Sequence, residues 1–289
     1  PFTGAAGGTI VSFPVNDQNS FQDIAGLIVD QIVFAQNTFT TITLTTPLRV
    51  NSAGLPANDI LATGGGSYGI AGPAALNPTG PTFTVQVGTA GGVAGTLTTT
   101  APITGANVQL AKLGAGTLAL NTNSTYGGGT VVQNGFIDFT TNVALGTGAV
   151  TVGNANTPAG AALGVRAAAP ILSPFANPIT VANPGAVVGS TRLTPGDVTF
   201  AGTLTLTTDV TLAAGTTGFS TRFAGRITGT GNVTVRSDVG PFFGGRTVAF
   251  VNATAAPNDY VGTLTVAADT NVRLGNTTPP DNQIPNGTA

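Results

Sequence analysis

Residues 110–145 read LAKLGAGTLALNTNSTYGGGTVVQNGFIDFTTNVAL. Thr117-Leu118-Ala119-Leu120 alternates small or polar residues with large apolar ones. Alternation of this kind over four or five residues marks a half-buried strand. The cluster Asn121 to Ser124 follows, then Tyr126, then Gly127-Gly128-Gly129, then a second apolar run from Thr130. Asn and Gly clusters are turn chemistry. The stretch therefore reads as strand, turn, strand, with a glycine-rich corner between.

The same alternation appears at Thr203-Leu204-Thr205-Leu206-Thr207, at Asn232-Val233-Thr234-Val235 and at Thr263-Leu264-Thr265-Val266. Short strands punctuated by Gly, Asn, Pro and Asp fit a sandwich, a barrel or a solenoid. Internal similarity favours the solenoid. Ile227-Thr228-Gly229-Thr230-Gly231-Asn232-Val233 is similar to Ile103-Thr104-Gly105-Ala106-Asn107-Val108. Asp259-Tyr260-Val261-Gly262-Thr263-Leu264 is similar to Thr125-Tyr126-Gly127-Gly128-Gly129-Thr130 with Val131. Divergent copies that keep turn and strand phase point to stacked rungs of ~20–25 residues. The expected fold is all-β, a right-handed parallel β-helix (β-solenoid), forming a single domain over 1–289. Its best repeat is 112–152, its weaker second copy 229–275, and 276–289 is an extended tail or the start of a further rung.

Composition agrees with strands and turns. Of the 289 residues, 42 are Gly, 19 Pro and 50 Thr, while Cys, Met, Trp, His and Glu are absent. Thr is β-branched and favours strands, and its hydroxyl keeps a weakly charged surface compatible with water. Charged residues make up only 7%, against ~25% in ordinary soluble domains. Asn19-Ser20 before Phe21, Ile24, Ala25, Ile28 and Ile32 allows a short N-terminal capping helix over 21–36. The β-branched pairs Ile28-Val29 and Ile32-Val33 and the interior Gly26 allow two more strands instead.

Lys112 to Val152 resembles the passenger-associated repeat of bacterial autotransporters. The matching motifs are Gly114-Ala115-Gly116-Thr117-Leu118-Ala119-Leu120, the turn Asn121 to Ser124, Thr125-Tyr126-Gly127-Gly128-Gly129-Thr130, the strand Val131 to Phe139, and Leu145-Gly146-Thr147-Gly148. The resemblance implies a parallel β-helix passenger on, or released from, a bacterial outer surface. No translocator barrel is recognisable, and Ile284 to Ala289 looks like the opening of another repeat, so the chain is expected to be a piece of something longer.

The chemistry of the side chains excludes several activities. Gly65-Gly66-Ser67-Tyr68-Gly69 has the G-x-S-x-G form of a nucleophile elbow. Without His, a triad cannot form, and a Ser-Lys dyad has only Lys112 to draw on. Glycosidases and lyases need clustered carboxylates. Here Asp17, Asp23, Asp30, Asp59, Asp138, Asp197, Asp209, Asp238, Asp259, Asp269 and Asp281 are dispersed. Zinc lacks its usual ligands, and neither an EF-hand nor a Gly-Gly-x-Gly-x-Asp nonapeptide offers calcium a site, an incidental Asp/carbonyl turn aside. A net charge of −2 with scattered Arg residues argues against nucleic acid. No apolar run reaches the ~18 residues of a membrane helix. Asn123, Asn232, Asn252, Asn276 and Asn286 sit in N-x-[ST] sequons, which an Asn/Thr-rich chain produces by chance.

The expectation is an extracellular structural protein on a bacterial surface, with no enzyme activity, catalytic residue, cofactor or metal. It is expected to be a stalk or filament subunit that associates head-to-tail through its open ends. The alternative is an adhesin for a cell-surface or glycan ligand, with Tyr68 and Phe83, or Phe242-Phe243, as its aromatic candidates.

Overall fold

The computed structural model describes residues 10–13, 18–35, 39–51, 58–89, 94–158, 161–168, 174–191, 196–215, 219–237, 246–252, 257–268 and 270–275. The chain divides into two compact units: unit 1 holds 1–137 and 143–148, and unit 2 holds 138–142 and 149–289. Each is a parallel β-solenoid, as the sequence pattern predicts.

Unit 1 stacks three sheets. The first runs β1 (Ile10–Phe13), β4 (Gln31–Phe34), β7 (Ile60–Ala62), β10 (Thr82–Val87), β12 (Gln109–Leu113) and β14 (Thr130–Val132). The second runs β2 (Gln18–Gln22), β5 (Thr40–Leu44), β8 (Ser67–Ala71), β11 (Thr96–Thr99) and β13 (Thr117–Leu120). The third is β3 (Ile28–Val29), β6 (Leu48–Val50) and β9 (Leu76–Pro78). β15 (Gly135–Phe139) follows in sequence, its residues falling to both units.

Unit 2 repeats the plan. Its first sheet is β16 (Val150–Val152), β18 (Ile179–Val181), β21 (Leu204–Leu206) and β24 (Ile227–Gly229). Its second is β17 (Leu163–Ala167), β19 (Ala186–Ser190), β22 (Val210–Ala214), β25 (Val233–Ser237) and β27 (Leu264–Val266). Its third is β20 (Val198–Phe200), β23 (Ser220–Phe223), β26 (Arg246–Phe250) and β28 (Thr270–Leu274). Rungs run from twenty residues, Leu110 to Thr130, to thirty-one, Val233 to Leu264. They exceed the expected length where the corners carry longer loops.

No helix occurs among the described residues. Over 21–36 the β-branched Ile28-Val29 and Ile32-Val33 lie in β3 and β4, so strands take the place of the capping helix. Side chains of this kind lose χ1 freedom in a helix and pack well on a pleated surface. Several short strands read buried-intermediate-buried, as in Leu204-Thr205-Leu206, where Thr205 faces outward.

Parallel in-register stacking places like positions above one another. In unit 1 one interior column runs Ile32, Ile60, Val85, Lys112, Val132. In unit 2 another runs Phe175, Phe200, Phe223, Phe250, Leu274. Its rings meet edge-on for Phe175–Phe200 with centroids 5.7 Å apart, stacked for Phe200–Phe223 at 5.2 Å and tilted for Phe223–Phe250 at 6.4 Å, and Phe139 adds a ring 4.9 Å from Phe175.

The two copies inferred from sequence form the same corner. Ser124 Oγ accepts a hydrogen bond from the N–H of Ile103, and Asn258 Oδ1 accepts one from that of Ile227. The N–H of Thr125 donates to Ile103 O at 2.9 Å, and that of Asp259 to Ile227 O at 3.0 Å. Gly127 and Val261 then donate to Gly105 and Gly229. Those two glycines have φ of +123° and +101°, a region that side chains avoid. Between the paired donors, Tyr126 and Tyr260 are both interior, 0% and 1% exposed. The Tyr126 hydroxyl is 2.7 Å from Thr130 Oγ1. Tyr126→Phe is expected to cost about 1 kcal/mol, the usual net worth of one such bond, read from the urea midpoint.

Candidate functional site

The polar groups singled out from sequence are built into the stack. Ser67 sits on the outer face of β8 in a column with Thr96 and Thr117. Lys112, the only lysine, points into the core of β12 and is 0% exposed. Its ammonium donates to the backbone oxygens of Leu113 and Gly114, both at 2.7 Å, and of Asn134 at 3.1 Å. The two residues therefore form no dyad. Burial pulls the Lys112 amine down to about 7. The carbonyls that hold it belong to a tight corner: Gly135 has φ +68°, and a Cβ there would lie 2.3 Å from Gly116 O.

The described Asp residues tie one rung to the next. Asp30 accepts from Asn51 Nδ2, Asp59 from the Thr84 N–H, and Asp209 from the Asn232 N–H. Asp138 is bidentate to Arg166, with contacts of 2.8 and 3.2 Å and both side chains under one-fifth exposed. Asp197 pairs with Arg222, and Asp259 with Arg226. The Asp259 carboxyl is held below its usual range, first by the Arg226 hydrogen bond and then by one from Thr228. Asp23 is set apart, exposed in the turn between β2 and β3. Among the described residues no group of three or more metal-ligating side chains gathers. Asp17, Asp238, Asp269 and Asp281 lie outside the described residues.

Tyr68 and Phe83 are core residues, 3% and 0% exposed, and Tyr68 lies 5.2 Å from the Phe34 ring. They line no groove, because inward strand positions carry the aromatic rings. Burial also pushes the Tyr68 hydroxyl up. Phe242-Phe243 and the sequons at Asn276 and Asn286 fall outside the described residues. Asn123 is exposed in its turn, whereas Asn232 Oδ1 accepts from Thr263 and Asn252 Nδ2 donates to Asn258.

The rungs that begin unit 1 and end unit 2 stand apart. In unit 1 a cavity of about 230 Å³ opens within the first rung. Ile32, Ile42 and Leu48 of the second rung form its floor, and Val11, Phe13, Leu27 and Val29 its walls. Gln22 closes one side, its amide bonded to the backbone of Ile24 and to Thr46. Ile10, Phe21, Ile24 and Ile28 around it are exposed. In unit 2, β27 and β28 end their sheets, with Val266 44% and Leu274 48% exposed. Among the described residues no strand pairs with their outer edges, and an open edge is the feature that invites another strand. Sequence reading did not anticipate this cavity, whose lining comes from six separate strands and the turn after β2.

Comparison with known proteins gives no match, whether against family models, curated sequences or solved structures. No helix among the described residues is long and apolar enough to cross a membrane.

Proposed function

We propose that the protein is an extracellular structural element of a bacterial surface, a β-solenoid stalk or filament subunit that associates with copies of itself, and not an enzyme. The observation that carries this reading is the apolar character of the first and last described rungs, whose outer edges pair with no strand among the described residues. Exposed β-edges are normally guarded by charge, proline or a covering segment. Here large apolar side chains are exposed on those strands instead: Ile28 on β3, Val266 on β27 and Leu274 on β28.

Two further features support it. The described carboxylates are committed to holding rungs together, with Asp23 set apart on a loop. The resemblance of Lys112 to Val152 to an autotransporter passenger repeat fits an exported, surface-displayed chain. The adhesin alternative loses Tyr68 and Phe83 as ligand contacts, since both are interior.

Light scattering and electron microscopy of the purified chain across a hundredfold concentration range test the reading. Assemblies that grow with concentration are expected. Monomers throughout would remove self-association, and hits on a glycan array would then favour the adhesin.

A further inference from the structure

We propose that Asn134 is a site of spontaneous covalent modification, where the Gly135 nitrogen closes on the Asn134 side chain and expels ammonia, with Lys112 activating the peptide between them. The site lies within unit 1 and does not depend on self-association.

The residues come from two neighbouring rungs. Gln133 and Asn134 turn the chain from β14 into β15, which Gly135 opens, and Lys112 reaches across from β12. Asn134-Gly135 is the only Asn-Gly pair among the described residues. The pairing matters because a glycine has no side chain to block approach of its nitrogen. The fold also keeps a glycine there. Its φ is +68°, and a Cβ would lie 2.3 Å from Gly116 O, so no bulkier residue can stand there to shield the asparagine.

Two contacts prepare the reaction. The Gly135 N–H donates to Asn134 Oδ1 at 2.8 Å, which turns the carboxamide toward the nitrogen. Cγ, one C=O bond from that oxygen, is then within about 4 Å of the attacking atom. Lys112 Nζ donates to Asn134 O at 3.1 Å, and its bonds to Leu113 and Gly114 fix it in place. When the Gly135 nitrogen loses its proton, the negative charge is shared with Asn134 O. The ammonium therefore stands where charge develops. Asn134 keeps 8% of its surface exposed, a route for departing ammonia and incoming water.

The atoms balance without an oxidant or cofactor. Hydroxide takes the Gly135 proton, the N–Cγ bond forms and the Cγ–Nδ2 bond breaks. Nδ2 leaves as ammonia with a proton from water. The five-membered imide then takes up one water. Opening at N–Cγ leaves an aspartate at position 134. Opening at the original peptide bond leaves an isoaspartate, whose main chain runs through Cβ and is one carbon longer in a corner with no room for it.

Peptide mapping by mass spectrometry, after prolonged incubation of the full chain at neutral pH, tests the site. Asn134 is expected to convert in the folded protein. It passes first to a peptide lighter by one ammonia, then to two chromatographically separable isomers carrying aspartate and isoaspartate. Asn134→Gln, which would need a six-membered ring, is expected to keep its amide. Lys112→Met is expected to slow conversion about tenfold, the worth of one charge-assisted hydrogen bond. The chain unfolded in urea supplies the rate of the unstructured pair. An Asn134 that keeps its amide when folded while converting in urea would overturn the proposal. A stable loss of ammonia that joins the Lys112 and Asn134 peptides would make Lys112 the nucleophile and overturn it as well. Conversion as fast in Lys112→Met, with unchanged circular dichroism, would overturn the part given to Lys112.

Discussion

Replacing Lys112 by alanine is expected to destabilise unit 1 by about 3–5 kcal/mol, the range for emptying a large core site and stripping buried acceptors of their donor. The side chain lies between Val85 and Val132 in a column of aliphatic residues, so its stem fills core volume. Its ammonium serves the carbonyls of Leu113, Gly114 and Asn134. Lys112→Met keeps most of the volume and loses the donors, so a smaller cost of about 1–3 kcal/mol is expected. Urea midpoints measure both, and amide exchange in β12 and β14 locates the loss.

The same residue sets a pH dependence. Unfolded, its amine titrates near 10.5; folded, at about 7. Between those values the unfolded chain holds more protons, so stability rises with pH across that window and is level below it. The neutral amine has two N–H groups for three carbonyls, which trims the gain to the order of a few kcal/mol. No Asp, Arg or Tyr lies within β10, β12, β13, β14 or the corners 113–116 and 133–134 around it. The nearby phenol of Tyr126 is pushed up by burial and stays neutral there. Lys112→Met is expected to abolish the rise between pH 7 and 9. A rise that persists in that variant would assign the effect to another group.

The second large effect is expected at Phe200, in the middle of the unit 2 aromatic column. Phe200→Ala removes a ring that meets Phe175, Phe223 and Phe139, the last edge-on at 6.2 Å. Rung spacing is fixed by backbone hydrogen bonds, so the neighbours cannot close the gap. The expected cost is about 4 kcal/mol, from cavity formation and lost ring contacts. Leu274→Ala, at the exposed end of the same column, is expected to cost under about 1 kcal/mol. Thermal or urea unfolding of the two variants side by side checks the contrast.

Neither of these two sites is foreshadowed by the sequence, although other parts of the fold are. Alternation at Thr203 to Thr207 and the Tyr126/Tyr260 correspondence are local patterns, and each became a strand or a corner of the expected kind. Phe200, Phe223 and Phe250 carry no such local sign. They meet because rungs of unequal length bring them into register, and those lengths are set by corner loops. The Asp–Arg ties are hidden for the same reason: Asp138 and Arg166, or Asp259 and Arg226, are neighbours only after stacking. Lys112 looks like a surface residue in Leu110-Ala111-Lys112-Leu113. Only its column of Ile60, Val85 and Val132 places it inside. Over 21–36, helical spacing competed with β-branched content, and pairing to the neighbouring strands decided for β.

The corner shared by Ile103–Gly127 and Ile227–Val261 bears on how such a chain changes over generations. Both corners make the same backbone bonds with different side chains, Ser124 in one and Asn258 in the other. A segment that presents the same donors and acceptors above and below is an interchangeable part. Unequal recombination that inserts or removes one such segment leaves every neighbour with a partner of the right kind. Gene length, in a molecule built this way, can drift by whole coils without passing through an unfolded ancestor.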